Sequence, residues 1–366
     1  MAPSESVLFY GSYDERRHPR VRVLRQGLVA VGFDVVTLNV PLRDSASERA
    51  KAATSAVAGI RWLGRLLRTQ AVLVFKSLRW RRPGCVVVGY LGVLDVLIAR
   101  IRWPRTPIIL DHLAPLEGIA YDRALGKPTT RLLRLLDRLA VAVATIVVFD
   151  TTENEAAYGA TAKGTIVVPV GAPTEWFDSA HDGRASATLR VIFFGTFVPL
   201  QGVEIIGQAL ARLADADIQA TIVGGRPELM QPVSGAYLPH VRWIPWLTES
   251  ALIDEVRGHH VCLGIFGGSQ KAQHVVPNKV YQGAAAGCVI VTSDTAPQRR
   301  ALADAGVYVP AGDSDALANA LKDLAVDRLY CSDMKKRTRE RARAEFAPEV
   351  VTRSLSEAIR NLLLQC

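Results

Sequence analysis

Residues Val261 to Asp294 read VCLGIFGGSQKAQHVVPNKVYQGAAAGCVIVTSD, which is strand, glycine loop, helix and strand in quick succession. Val261 to Phe266 is a short apolar run that Gly267-Gly268-Ser269 ends. A helix is predicted from near Pro277 through Ala284-Ala285-Ala286 to Gly287, because proline is pre-shaped for a first helical turn and glycine for the residue past the end. Cys288 to Thr292 makes the next buried strand. A helix that begins after a glycine loop offers free N–H groups and a positive dipole end to an anion. Lys279 in its first turn adds a full charge on a mobile stem. The stretch has the form of a phosphate site, although Lys279 also fits an ordinary surface lysine at a helix start.

Outward from this stretch the same alternation repeats. On the N-terminal side, predicted strands are Ser6–Tyr10, Phe33–Val40, Cys85–Tyr90, Ile108–Asp111, Ile146–Phe149 and Thr165–Val170, with helices at Arg20–Val31, Val93–Trp103, Thr130–Ala144 and Glu153–Ala160. Continuous apolar strands between helices indicate a parallel sheet covered on both faces. The pattern restarts at Val191–Phe194, followed by the loop Gly195 to Gly202, strands Ala220–Val223 and Val241–Pro245, and helix Glu249–Arg257. Strand Val307–Val309 and helix Ala316–Leu324 close the second sheet. The fold class is therefore α/β, with two Rossmann-like doubly wound domains. The predicted boundaries are 1–172 for the first domain, 173–187 for a linker and 188–347 for the second, with the helix at 348–366 returning to the first.

Composition fits this division. A chain of 366 residues, 49% hydrophobic and 22% charged, is long for one core and suits two. Five scattered cysteines (Cys85, Cys262, Cys288, Cys331, Cys366) contain no CxxC pair. That argues against a disulfide framework or zinc site and favours a reducing cytosol. No leader pattern and no apolar run of about 18 residues are present. The net charge of +9 is uneven: Arg49 to Leu94 holds nine Lys or Arg and no Asp or Glu, interleaved with Trp62, Leu63, Leu66, Leu67, Phe75 and Trp80. Such a segment is either a solvated cationic face on a core helix or an interfacial helix on anionic lipid. No nucleic-acid motif accompanies it, so nucleic acid is not expected as a partner.

In such sheets ligands bind beyond the carboxyl ends of the strands. The residues there are Gly11-Ser12-Tyr13, Asp111-His112, Gly195-Thr196, Gly225-Arg226, Gly267-Gly268-Ser269 and Asn278-Lys279. No GxGxxG fingerprint occurs, so a standard NAD site is absent. His112 either reaches a cleft or is a loop histidine bonded to Asp111. Asp122 and Arg123 either meet an acceptor or pair with each other, and Arg226 suits an anion or plain solvent. Gln282 fits helix surface equally well.

The series GTFVPLQG, IVGG, WIPW, LGIFGGSQKA, VVPNKVYQ and VTSDTAP resembles the nucleotide-binding half of bacterial family 4 glycosyltransferases, from about Val191 to Leu324. FYGSYDERRHPRVRVLRQGL and LDHLAPLEGIAYDR are similar to acceptor-side loops of the same branch. The resemblance implies a GT-B fold with its two domains facing across a cleft that closes on its substrates. It implies transfer of a sugar, of hexosyltransferase type and with retention, from a nucleotide diphosphate sugar, with neither a cofactor nor a required metal. By position, Lys279 matches the lysine that meets the donor diphosphate, so Lys279 and His112 stand as catalytic candidates. Gly195, Thr196, Gly225, Arg226, Gly267, Gly268, Ser269, Asn278 and Gln282 stand as donor-side candidates. Gly11, Ser12, Tyr13, Asp111, Asp122 and Arg123 stand on the acceptor side.

The sequence departs from that pattern. Gln282 stands where relatives carry the second Glu of a Glu-x7-Glu pair, and His274 stands near the first. Thr196 and Gln201 replace the usual Arg and Lys of the first loop. A glutamine still hydrogen-bonds a hydroxyl but without a carboxylate's charge. A GT-B nucleotide-sugar 2-epimerase, or a sugar-nucleotide-binding subunit without catalysis, are therefore alternatives. The acceptor is unassigned: lipid-linked, cell-surface or secondary-metabolite glycan biosynthesis all fit. The expected location is cytoplasmic, with peripheral contact on the inner membrane face through the basic 49–94 segment.

Overall fold

The computed structural model describes residues 6–15, 18–42, 56–80, 82–113, 115–116, 126–177, 188–225 and 238–365. The chain divides into two compact units, Met1–Pro169 with Val351–Cys366, and Val170–Val350.

The first unit holds a six-stranded sheet of β1 (Ser6–Gly11), β2 (Asp34–Asn39), β3 (Cys85–Val88), β4 (Ile108–Asp111), β5 (Ile146–Phe149) and β6 (Thr165–Val167), in the order β2-β1-β3-β4-β5-β6. Every pairing is parallel. Side chains alternate faces along a strand, and here both faces are buried. Val7 and Phe9 of β1 enter one core with Cys85, Val87 and Ile109, while Leu8 and Tyr10 enter the other with Val86, Val88 and Leu110. Helix Pro19–Ala30 covers the first face through Val21, Leu24 and Leu28, and helix Arg353–Leu364 joins it through Leu355, Ile359 and Leu363. Helices Ala56–Ser77, Val93–Arg102 and Lys127–Val143 supply Leu73, Val96 and Val141 to the opposite core. The last of these starts three residues ahead of the predicted Thr130, because Pro128 lies in its first turn, where a missing N–H costs nothing.

The second unit holds β7 (Leu189–Phe194), β8 (Ile218–Val223), β9 (Val241–Ile244), β10 (Val261–Leu263), β11 (Val289–Ser293) and β12 (Gly306–Val309) in the order β12-β11-β10-β7-β8-β9. Numbered from its own first strand this is 3-2-1-4-5-6 read from the β9 edge, the doubly wound dinucleotide-fold order. Its register sets Val261 beside both Val191 and Val289. The order reverses between β7 and β10, which places a crevice at their carboxyl ends. The quoted stretch keeps its predicted strand-helix-strand form, with two refinements. Pro277 is the N-cap, ahead of helix Asn278–Ala285, and a short helix, Gln270–His274, precedes it with the Ser269 hydroxyl as its cap.

Candidate functional site

The carboxyl ends of β7, β8 and β10 come together through close backbone contacts that only glycine permits. Gly224 has φ +98°, and a Cβ there would lie 2.4 Å from the carbonyl oxygen of Gly195. A Cβ on Gly202, at φ +64°, would lie 2.6 Å from the carbonyl carbon of Phe266. The loop after β7 is therefore sealed to the loop after β10, and the N–H groups of Phe266 and Gly267 donate to the carbonyls of Gln201 and Leu200 at 3.1 and 3.2 Å. Gly268, by contrast, has nothing within 4 Å of a Cβ position, and Ser269 beside it is exposed.

Into this junction helix Asn278–Ala285 sends Lys279. Its Nζ sits 3.6 Å from the centroid of the Phe193 ring and donates to Oε1 of Gln201. The residue is 4% exposed, and among the described residues no carboxylate pairs with it. Burial in this apolar setting pushes the amine's pKa well below 10.5, opposed by the thiol of Cys262. An aromatic face and an amide oxygen stabilise an ammonium less than an anion would. The amine is therefore placed to gain from an anion arriving at this strand end. Gln282 is buried on the same helix, Asn278 is half-buried at its start, and Thr196 and Gly225 are exposed at the strand ends. Arg226 lies outside the described residues. Gln201 marked a departure in the sequence, yet it is the side chain that holds Lys279. That contact spans 78 positions, and no local pattern signals it.

A second buried polar group supports the end of β11. The Thr292 hydroxyl donates to Oε1 of Gln298 at 2.6 Å, and Gln298 Nε2 donates to the Ser293 hydroxyl at 3.2 Å. These bonds fix the start of helix Ala296–Leu302 within the TAP segment of the motif series.

In the first unit, the loop after β1 is held by Asp95. Its carboxylate accepts from the Ser12 N–H at 2.8 Å, the Ser12 hydroxyl at 2.9 Å and Gln70 Nε2 at 2.6 Å. Burial raises the Asp95 pKa against those three donors. Gly11 borders this carboxylate and the Tyr13 ring, and Tyr13 is buried. At the end of β4, Asp111 accepts from Nε of Arg20 at 2.7 Å, both side chains being buried. Asp111 is thus engaged by Arg20, and the carboxylate beside His112 is Asp137, with Oδ1 3.6 Å from Nε2. His112 is buried, packed edge-on to Phe149 and tilted against Tyr158. Asp150 at the end of β5 is pushed up to about 6, chiefly by burial, against a 2.7 Å bond from Asn154 and the charge of Arg20. Asp122 and Arg123 lie outside the described residues. Among the described residues no group of three His, Cys, Asp or Glu is arranged to hold a metal ion.

Residues 188–327 match the family model described as Glycosyl transferases group 1. The matched residues lie within the second unit. A phosphatidyl-myo-inositol mannosyltransferase of Mycobacterium leprae is 30% identical over 165 residues, which is 43% of this chain and 43% of that protein. The match thus spans less than half of the curated relative. Among solved structures, sucrose-phosphate synthase from Thermosynechococcus elongatus superposes with a TM-score of 0.72 at 15% identity, over 99% of each chain. Anabaena HepE in complex with UDP-glucose gives 0.68 at 13%, over 97% of this chain and 99% of that one. A trehalose-6-phosphate synthase studied for glycosyl transfer with retention gives 0.68 at 13%, over 99% of each. At these identities the likeness concerns fold. The chain has the GT-B architecture, and the match to the group 1 model falls in its second Rossmann-like unit.

Proposed function

We propose that the protein is a retaining glycosyltransferase, moving a sugar from a nucleotide diphosphate sugar to an acceptor hydroxyl. The observation that carries this reading is the buried, carboxylate-free Lys279 amine at the strand-order reversal of a glycosyl transferases group 1 domain. A donor diphosphate would supply the anion that the amine lacks, and Lys279 would then stabilise the charge that grows on the leaving phosphate. Exposed backbone at Gly268 and Ser269 would approach phosphate or sugar. In a front-face displacement the departing phosphate itself helps take the acceptor proton, so no strong protein base is assigned. The UDP-glucose bound to Anabaena HepE supports a sugar nucleotide as ligand class. No cofactor or metal is invoked for these steps. His112, buried beside Asp137, is proposed to shape the acceptor side from beneath.

The acceptor is proposed to be presented at a membrane or surface-glycan site, with the protein lying peripherally on the cytoplasmic face through the basic 49–94 segment. One observation favours a second reading, a sugar-nucleotide-binding subunit without turnover: Gln201 already occupies the Lys279 amine.

Thermal denaturation with UDP, GDP, ADP, dTDP, their sugar conjugates and NAD tests the donor site, since a ligand of the folded state raises the melting temperature by mass action. A shift with one nucleoside diphosphate family supports the proposal, and a shift with NAD alone overturns it. Release of nucleoside diphosphate from the bound sugar nucleotide separates the transferase from the binding subunit.

A further inference from the structure

The three helices over one face of the first sheet carry an outward surface that the sheet does not use. Helix Lys127–Val143 buries Thr130, Asp137, Ala140 and Val141. On its opposite side Leu132, Leu135 and Leu139 recur at spacings of three and four, a stripe in which Leu132 is 56% exposed. Arg131 and Arg138 flank that stripe and are exposed. Helix Ala56–Ser77 repeats the arrangement, with Ile60, Leu63 and Leu67 exposed at the same spacing beside Arg61, Arg65 and Arg68. Farther along it, a groove of about 410 Å³ is lined by Ala71, Val72 and Phe75 with Lys76 and Arg79. Helix Val93–Arg102 contacts both and leaves Ile101 82% exposed.

The acids of these three helices, Asp95 and Asp137, are both buried. Every exposed charge on these three helices is therefore positive, and each cationic row runs beside an apolar stripe. We infer that the outer faces of helices Ala56–Ser77 and Lys127–Val143 together dock on an anionic lipid bilayer. The leucine and isoleucine stripes would enter the acyl boundary and the arginines would meet headgroup phosphates. The inference rests on the peripheral-membrane reading and extends it to helix Lys127–Val143, which lies outside the basic segment. No described helix is long and apolar enough to cross a membrane. A partner protein would need acidic side chains facing two separate helices, whereas a bilayer presents phosphate and apolar depth everywhere.

The test is co-sedimentation of the full chain with vesicles of phosphatidylcholine, with and without phosphatidylglycerol. Wild type should partition about tenfold or more in favour of the anionic vesicles. L132Q/L135Q/L139Q should lose about tenfold or more of that binding, and L63Q/L67Q should also weaken it. These side chains are exposed, so an unchanged melting temperature will show that the variants fold. Equal binding by wild type and L132Q/L135Q/L139Q would overturn the two-helix surface while leaving the basic segment as the contact. Absence of wild-type binding to either vesicle would overturn both. Binding indifferent to phosphatidylglycerol, or a lipid-free dimer that L132Q/L135Q/L139Q dissolves, would also overturn the inference.

Discussion

Replacing Lys279 by methionine removes the ammonium and keeps an unbranched chain against Phe193, so it separates the amine's charge from its packing. In the ligand-free protein the amine's pKa is held well below 10.5 by burial. A lysine whose folded pKa lies below its unfolded value contributes most stability above the unfolded value, and that contribution falls as pH drops toward the folded value. Near neutrality wild type thus bears a desolvation cost that Lys279→Met lacks. Against this, the variant loses the hydrogen bond to Gln201, worth about 0.5–1.5 kcal/mol. The two effects oppose each other, so ligand-free Lys279→Met should be as stable as wild type or more stable.

With nucleoside diphosphate present the order reverses. A charge-assisted hydrogen bond to phosphate contributes about 1.5–3 kcal/mol, which corresponds to about 10- to 150-fold in affinity. Phosphate also raises the amine's pKa, so wild type should take up a proton on binding and bind more weakly as pH rises, and the variant should do neither. Titration calorimetry in two buffers of different ionisation enthalpy reads affinity and proton uptake together. Unchanged affinity in Lys279→Met would refute the placement of Lys279 at the diphosphate. A variant several degrees less stable with wild-type affinity would make Lys279 a packing residue only.

Three further outcomes follow from single contacts. Asp150 has a pKa raised from 3.8 to about 6, so its contribution is fully present below pH 4 and lost as pH rises through 6. Asp150→Asn, which keeps an acceptor for Asn154, should gain roughly 3 kcal/mol relative to wild type as pH rises from 3 to 7, read by urea denaturation; a constant difference across that range would show the carboxylate is not strained by burial. Gly224→Ala meets both a φ of +98° and a carbonyl at 2.4 Å, and should cost about 1–3 kcal/mol or more; a melting temperature equal to wild type would mean the Gly195 loop yields freely. Asp95→Ala strands the Ser12 N–H and Gln70 amide and should cost about 2–4 kcal/mol, with Asp95→Asn recovering part of it; equal losses in the two would deny Asp95 its role as an acceptor.

What the sequence made legible was whatever is periodic or punctuated. Strand Val261–Leu263, followed by Gly264, and the Val289–Val291 run that follows Gly287 are apolar on both faces, so their burial in a parallel sheet follows from composition alone. Helix Glu249–Arg257 declares itself through the Thr248 cap and Gly258. The tight turns at Gly202 and Gly224 were visible as glycines, but not the carbonyls that demand them, which come from other strands. The pairing of Arg20 with Asp111 was equally hidden: one residue sits in a helix, the other 91 positions later at a strand end. A loop histidine beside an aspartate invites a local bond, yet Arg20 takes that aspartate and leaves His112 to face a helix.

The same limit bears on the donor site. Read by position, Gln201 is a missing cation and Gln282 a missing carboxylate, two losses that together suggest a weakened site. In the folded domain the glutamine at 201 has a definite partner in Lys279. A cation at 201 would repel Lys279, whose amine lies against the Gln201 amide oxygen and the Phe193 ring, while a carboxylate there would hold the amine as a ready-made ion pair. The amide does neither: it holds the amine through a neutral oxygen, and in the proposed function it would yield to phosphate. Gln201→Glu therefore distinguishes a weakened site from one set to wait for its anion. If the amide's neutrality matters, the carboxylate should satisfy Lys279 permanently, raise its pKa and lower nucleoside diphosphate affinity by about tenfold or more, because the incoming phosphate must displace a like charge. Calorimetry that found affinity preserved or improved in Gln201→Glu would show that Gln201 has no part in holding Lys279 ready.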